Sequence, residues 1–280
     1  MIRSWVMLVA LAGSTAFAQD RVTPVPPIPL GDTLLTLPTS HIPAAGTWET
    51  KFSHRFNQSI DEGEAFRSFF GLDSGANVGI GLSFTPVSRF QLSILRSNVL
   101  DTYELAGKYV LFQQARAIPF SAALRGGVDV RTEESLDDRT SFFGQAILSR
   151  QFGRRVALFV QPTFVTDAGR AAGAETSVAL FESVFNVPVG VAFVMTPRLS
   201  LIAELIPPNH DLPDDLSADL GWAVGVKSVV GGHYFEILLT NSNGTTVDQY
   251  ATSTYQGVPF RSGDLRLGFN IERRFGKARL

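Results

Sequence analysis

Apolar and polar residues alternate with a period of two along most of this chain. In "SGANVGIGLSFT", Ala76, Val78, Ile80, Leu82 and Phe84 alternate with Gly75, Asn77, Gly79, Gly81, Ser83 and Thr85. A helix would place Val78 and Ile80 on different faces, whereas a strand sends successive side chains to opposite faces, so the segment reads as a strand with one apolar face. "GTWETKFSHRF" repeats the pattern, with Trp48, Phe52 and Phe56 set against Thr47, Glu49, Lys51, Ser53 and Arg55. So does "GDLRLGFNIERRF", where Leu265, Leu267, Phe269, Ile271 and Phe275 oppose Asp264, Arg266, Asn270, Glu272 and Arg274. Arg273 breaks the alternation at a point where a long side chain can snorkel to headgroups.

Further strands read at roughly 88–96, 101–112, 119–131, 140–151, 155–165, 186–196, 198–206, 219–229 and 232–241, which makes twelve in all. Phe143 and Ile147 depart from the pattern, because they share a face with Ser141, Gln145 and Ser149. "DEGEAFRSFFG" reads as one short helical turn. The links alternate in length: "PVS", "GRR", "TPR" and "VGG" are tight, while 132–139, 166–185, 207–218 and 242–263 are long. Tight turns on one side and long loops on the other are expected of an outer-membrane barrel. An even strand count brings both ends of the sheet to the tight-turn side, where the closing strand should pair with Trp48–Phe56.

Twelve strands each carrying several large apolar side chains on one face need a common apolar surrounding, which lipid supplies. In lipid every backbone polar group must be paired internally, and a closed barrel does this by leaving no edge. The fold class expected is therefore all-β: a closed antiparallel up-and-down transmembrane β-barrel of about twelve strands. Candidate lumen-facing polar residues on the other face are Glu49, Lys51, Arg55, Asn77, Arg89, Glu104, Lys108, Arg125, Asp129, Asp219, Lys227, Glu236, Arg266 and Glu272, with Glu204 and Asp264 on the same face. Charges of both signs there imply cross-strand ion pairs and water. Periodicity alone leaves open a soluble barrel with its apolar face inward, binding an apolar ligand. Strand number favours the membrane, since soluble binding barrels commonly close with about eight. Trp48, Tyr103, Tyr109, Phe120, Phe164, Trp222, Phe235 and Phe275 fall mostly toward strand ends, as interface girdles do.

Residues 1–18 have the build of a secretory signal peptide: Arg3, an apolar stretch from Trp5 to Ala12, then Ala16-Phe17-Ala18. An uncleaved anchor is the alternative, but that stretch is short of the ~20 residues a spanning helix needs. Residues 19–45 form a Pro-rich lead-in, and 46–280 the barrel domain. Proline fixes φ and lacks a donor, so the lead-in is read as a linker outside the sheet in preference to a plug inside it. The chain has no cysteine, which excludes disulfides and thiolate metal sites, and its 24 basic and 26 acidic residues leave no footprint for nucleic acid.

Chemistry is sparse. His41, His54, His210 and His233 form no metal-ligand spacing. His233, Ser242, Asn241 and Asn243 invite comparison with outer-membrane phospholipases, but a Ser nine residues along from His is about 30 Å away if extended. The acidic clusters "DEGE" (61–64) and "DLPDD" (211–215) match no EF-hand loop. No enzyme activity and no cofactor are expected. The expected partners are outer-membrane lipid and the barrel-assembly machinery, with a small solute in the lumen left open.

Four stretches, "HRFNQS" (54–59), "FFGLDSGANVGIGLSF" (69–84), "GGHYFEILLTNSNGTT" (231–246) and "RLGFNIERRF" (266–275), together resemble an uncharacterised family of bacterial outer-membrane β-barrel proteins, a domain of unknown function. The resemblance covers about residues 45–275. It implies a barrel in the outer membrane of a Gram-negative bacterium and carries no activity with it. Within it Asp73 and Asn77 are read as turn-forming Asx residues. The function expected is non-catalytic, a narrow pore or a structural envelope protein; the alternatives are the soluble apolar-ligand barrel and, behind it, an outer-membrane lipid hydrolase.

Overall fold

The computed structural model describes residues 28–60, 69–133, 140–168, 181–208, 219–252 and 265–276. Residues 1–18, read as a signal peptide, together with "DEGE", "DLPDD", His210 and Asp264, lie outside the described residues. Fourteen strand segments run in chain order: β1 (Thr47–Phe56), β2 (Ala76–Val87), β3 (Phe90–Ser97), β4 (Thr102–Phe112), β5 (Ser121–Arg131), β6 (Thr140–Phe152), β7 (Val156–Val160), β8 (Thr163–Ala168), β9 (Phe181–Asn186), β10 (Val189–Thr196), β11 (Leu199–Ile206), β12 (Gly221–Val230), β13 (His233–Thr240) and β14 (Arg266–Phe275). Between the first two, Phe69–Gly71 makes a single 3-10 turn at the end of the stretch read as helical.

These segments form twelve strands. β7 and β8 pair with β6 in one register, and β10 and β9 pair with β7 and β8 in another, so each broken pair is a single strand. Pro162 and Pro188 cause both breaks, because a proline has no N–H to give the ladder. The Gln161 N–H still donates to the Pro188 carbonyl at 2.9 Å across the gap. Every neighbouring pair is antiparallel, and β14 pairs with β1 from Trp48 opposite Phe275 to Arg55 opposite Gly268. With that seam the sheet closes and leaves no edge.

The apolar face of the sheet is the outer one. Ile80, Leu105, Leu124, Phe142, Phe193 and Ile237 are exposed on the outer wall, Ile237 to 65%. An inward apolar face is what a soluble ligand-binding barrel would need, so that alternative is excluded. A charged residue at the level of Ile237 would cost about 2–4 kcal/mol against lipid. The aromatic residues Trp48, Tyr109, Phe152, Phe235 and Phe275 stand outward near the tight-turn end.

Candidate functional site

The lumen opposite that wall is filled rather than open. From Gly31 to Ser40 the chain folds into a tight loop inside the barrel: Thr33 bridges Pro38, the Leu34 N–H donates to the Leu37 carbonyl at 2.8 Å, and the Thr39 N–H donates to the Asp32 carbonyl at 2.8 Å. A buried loop without a ladder must find partners for its remaining backbone groups, and the barrel wall supplies them. The N–H groups of Leu35, Thr36 and Leu37 donate to Oε1 of Glu204 at 2.8, 3.0 and 3.0 Å. Lys227 Nζ donates to the carbonyls of Leu30 (2.6 Å) and Thr33, Asn270 Nδ2 to that of Leu35 (2.7 Å), and Gln161 Nε2 to that of Pro38 (2.7 Å). Leu34, Leu35 and Leu37 have no exposure and belong to one cluster with Phe159, Ala192, Ile202, Ala223 and Leu238. Gly190 lacks the Cβ that would collide with the Leu34 side chain.

This N-terminal insert corrects the linker reading of the Pro-rich segment. A solvated linker would have exposed Leu30, Leu34, Leu35 and Leu37, and the lumen is where those side chains find apolar contact. Its charged tip is also held. Lys108 pairs with Asp32; burial raises the Asp32 carboxyl, but Lys108 beside it, with Arg125 and Lys51 beyond, outweighs this and holds it below the ordinary carboxylate value. Thr33 Oγ1 donates to Glu272 at 2.6 Å. Burial, reinforced by Arg274 and Lys108, lowers His41 from 6.5 to about 4 against the opposing pull of Asp32, so its imidazole is neutral at pH 7.

A second insert enters from the long-loop end. After β13 the chain turns back into the barrel and forms α1 (Val247–Ala251), whose residues are all buried. The first N–H groups of a helix lack internal partners. Here Val247 N–H donates to Glu104 Oε2 at 2.8 Å and Asp248 N–H to Asp129 Oδ2 at 3.1 Å. Arg131 donates to the Asp248 carboxylate at 2.7 Å, and Gln145 Nε2 to the Tyr250 hydroxyl at 2.9 Å. Burial raises the Tyr250 phenol, which stays neutral. Asn77 Nδ2 donates to the Asn243 carbonyl at 2.7 Å while its Oδ1 accepts from Ser97 at 2.8 Å. Between the inserts lies a cavity of about 60 Å³ touched by Asp32, Thr36, Lys51, Glu104, Arg125 and Tyr250. It has room for a few waters.

The fold brings most of the candidate polar residues into this interior. Glu49 accepts from Arg274 at 2.7 Å, Lys227 lies 2.7 Å from Glu236, and Arg125 pairs with Glu104. Arg55 donates to Asn270 Oδ1 at 2.7 Å, Lys51 to Thr33 Oγ1 at 3.0 Å, and Arg266 to the Asn57 carbonyl at 2.8 Å. Lys108, Asp129 and Glu272 contact the inserts as described.

Two readings need correction, Arg89 as a lumen residue and Asn77 as a turn residue. Arg89 does not line the lumen: it occupies the β2–β3 turn at φ 73°, exposed, with its guanidinium over the Tyr109 ring. The strand ends before it, so period-two counting no longer sets its direction. Asp219 lies two residues before β12 and is partly buried. Asn77 is no turn residue, because it sits within β2 and is wholly buried, whereas Asp73 does lie in an exposed turn.

Sequence reasoning missed the partners that complete the interior: Asp32, Leu34, Arg131, Gln145, Asp248, Gln249 and Tyr250. One signal was present. Phe143 and Ile147, apolar on a polar face, are both buried in the lumen, and Phe143 packs in the cluster that contains the two inserts.

A closed sheet with an apolar outer wall and a filled polar lumen defines a membrane-spanning β-barrel. The chain belongs to the family described as the membrane bound beta barrel domain (DUF5777), which matches residues 31–275 and so includes most of the N-terminal insert. No curated protein matches it. Among solved structures it is similar to the NanC porin (6% identity, TM-score 0.48, covering 82% of this chain and 100% of that one). It is also similar to an outer membrane channel from Pseudomonas putida F1 (11%, 0.49, 84% and 97%) and to outer membrane phospholipase A from Escherichia coli (10%, 0.42, 83% and 93%). None of the three carries an activity over to this chain.

Proposed function

We propose that this protein is a non-catalytic barrel of the outer membrane of a Gram-negative bacterium: a narrow pore whose lumen is held shut at rest by two inserts in series. The observation that carries this reading is the way the wall holds the inserts. Wall side chains, not strand pairing, capture the backbone of residues 30–40, and among the described residues no ladder joins either insert to the sheet. Elements held in this way can leave while the barrel stays closed.

The catalytic alternative finds no support in the geometry. His233 opens β13 at the tight-turn end, whereas Ser242 lies beyond Thr240 at its other end and is buried. Replacing Ser242 with Ala and assaying lipid turnover checks this directly; unchanged turnover is expected.

Planar-bilayer recording of the wild type tests the pore reading. Long closed periods with brief openings under applied voltage are expected. A complete lack of openings at every voltage, in a protein whose heat-modifiable gel migration proves insertion, would overturn it in favour of a structural envelope protein. The filled lumen is the observation that keeps that second reading in view.

A further inference from the structure

The two ends of the barrel differ in charge. Exposed arginines occupy the tight-turn end: Arg89, Arg116, Arg154 and Arg198 in turns, with Arg150 and Arg273 at the adjoining strand ends. Among the described residues, none of the tight turns holds an Asp or Glu. The opposite end carries Asp73, Asp101 and Glu182, and there Arg96, which also lies 5.8 Å from the Tyr103 ring centroid, has its charge paired with Asp101.

Three of these arginines do not point along the barrel axis. Arg89, Arg150 and Arg273 lie over the rings of Tyr109, Phe152 and Phe275, at 5.8, 5.0 and 4.6 Å from their centroids. All three rings belong to the outer wall and are 40–45% exposed. The Arg89 Nε also donates to the Val110 carbonyl at 2.9 Å, which fixes the side chain against the wall. Guanidinium groups seated on aromatic rings at the edge of an apolar band sit at headgroup depth, facing sideways. A soluble acidic protein would approach the turn tips along the axis. Sideways cations at that level meet lipid phosphate instead, and Arg is suited to phosphate by its planar fork.

We infer that this rim binds the phosphate headgroups of anionic phospholipid in the leaflet at the tight-turn end. The site is a set of separate Arg–aromatic seats at the β2–β3 turn with β4, in β6 and in β14, and each seat takes one headgroup while the apolar wall above takes the acyl chains. Attraction of this kind is worth about fivefold in affinity per basic residue and weakens with salt.

The test uses the mature protein in vesicles made of equal parts phosphatidylethanolamine and phosphatidylglycerol, with native mass spectrometry reading the retained lipid. Wild type should retain phosphatidylglycerol over phosphatidylethanolamine by about tenfold or more. The triple variant R89Q/R150Q/R273Q should lose most of that preference, and Arg96→Gln at the other end should keep it. No preference in wild type, or an unchanged one in the triple variant, overturns the inference. Should the triple variant fail to fold, photo-crosslinkable phosphatidylglycerol on wild type decides: labelling near Tyr109, Phe152 and Phe275 supports the rim, and labelling confined to the long-loop end refutes it. Conductance plays no part in this readout, so its outcome is separate from that of the pore.

Discussion

The N-terminal insert is held mainly through its backbone, whereas the loop insert between β13 and β14 is held mainly through side chains and its helix end. Residues 35–37 offer three consecutive N–H groups to the single carboxylate of Glu204, and Leu34, Leu35 and Leu37 seat their side chains against an apolar wall. The loop insert instead relies on the Arg131–Asp248 ion pair, on Asn77, and on Glu104 and Asp129 at the start of α1. One lumen is thus closed by two physically distinct locks. They should answer to different perturbations, and hydrogen exchange on residues 29–40 and 243–252 reads each lock separately.

The largest expected effect falls on the loop lock. Arg131→Ala strips a buried carboxylate, Asp248, of its cation and should destabilise the docked loop by about 3–5 kcal/mol. Exchange should rise in 243–252 and leave 29–40 protected; equal loosening of both would mean that the inserts form one cooperative body.

The mirror experiment is Glu204→Ala, which leaves the N–H groups of Leu35, Thr36 and Leu37 buried without an acceptor. A loss of about 2–3 kcal/mol in docking of the N-terminal insert is expected. Faster exchange in 29–40 with an unchanged loop would confirm the separation.

Legibility in the sequence followed the same division. The strands could be read because lipid on one side and a polar lumen on the other enforce period two at Ala76–Val87 or His233–Thr240 without any knowledge of neighbours. The start of the eighth strand at Phe181 was hidden, since Pro188 interrupts its pattern and made 166–185 look like loop. The interior polar set was legible residue by residue from strand parity, and parity failed at Arg89, one step past a strand end. The inserts were not legible, because their contacts join positions far apart in the chain. Glu204 and Leu35 are 169 residues apart, and a five-residue helix leaves no periodic trace. The leucines of "GDTLLTLPTS" were visible but lay within a proline-rich composition that ordinarily means a solvated chain.

A pH titration sharpens the contrast with a smaller effect. In the docked insert His41 takes up its proton only at about pH 4, whereas once released it would do so near 6.5. A depressed folded value means that docking is fully favoured above pH 6.5 and weakens as the pH falls toward 4. Exchange in 29–40 should rise by up to about tenfold near pH 5, one pH unit of linkage corresponding to a factor of ten. His41→Gln should remove that component, and a pH response that survives it would have to come from another group.

The smallest effect is expected at Arg96→Gln. The Arg96–Asp101 pair is exposed at 42% and 49% and touches neither insert. Its loss should cost less than about 1 kcal/mol and leave both exchange profiles unchanged.

Single-channel recording of a barrel lacking both inserts asks whether the inserts are what closes the lumen. Residues 28–43 are deleted and 243–252 are replaced by a short Gly-Ser link, with heat-modifiable migration used to verify that the sheet is closed. A stable, steadily open conductance, absent from wild type and only partial when one insert is removed, is the predicted result. A closed, non-conducting barrel after both removals would contradict the account.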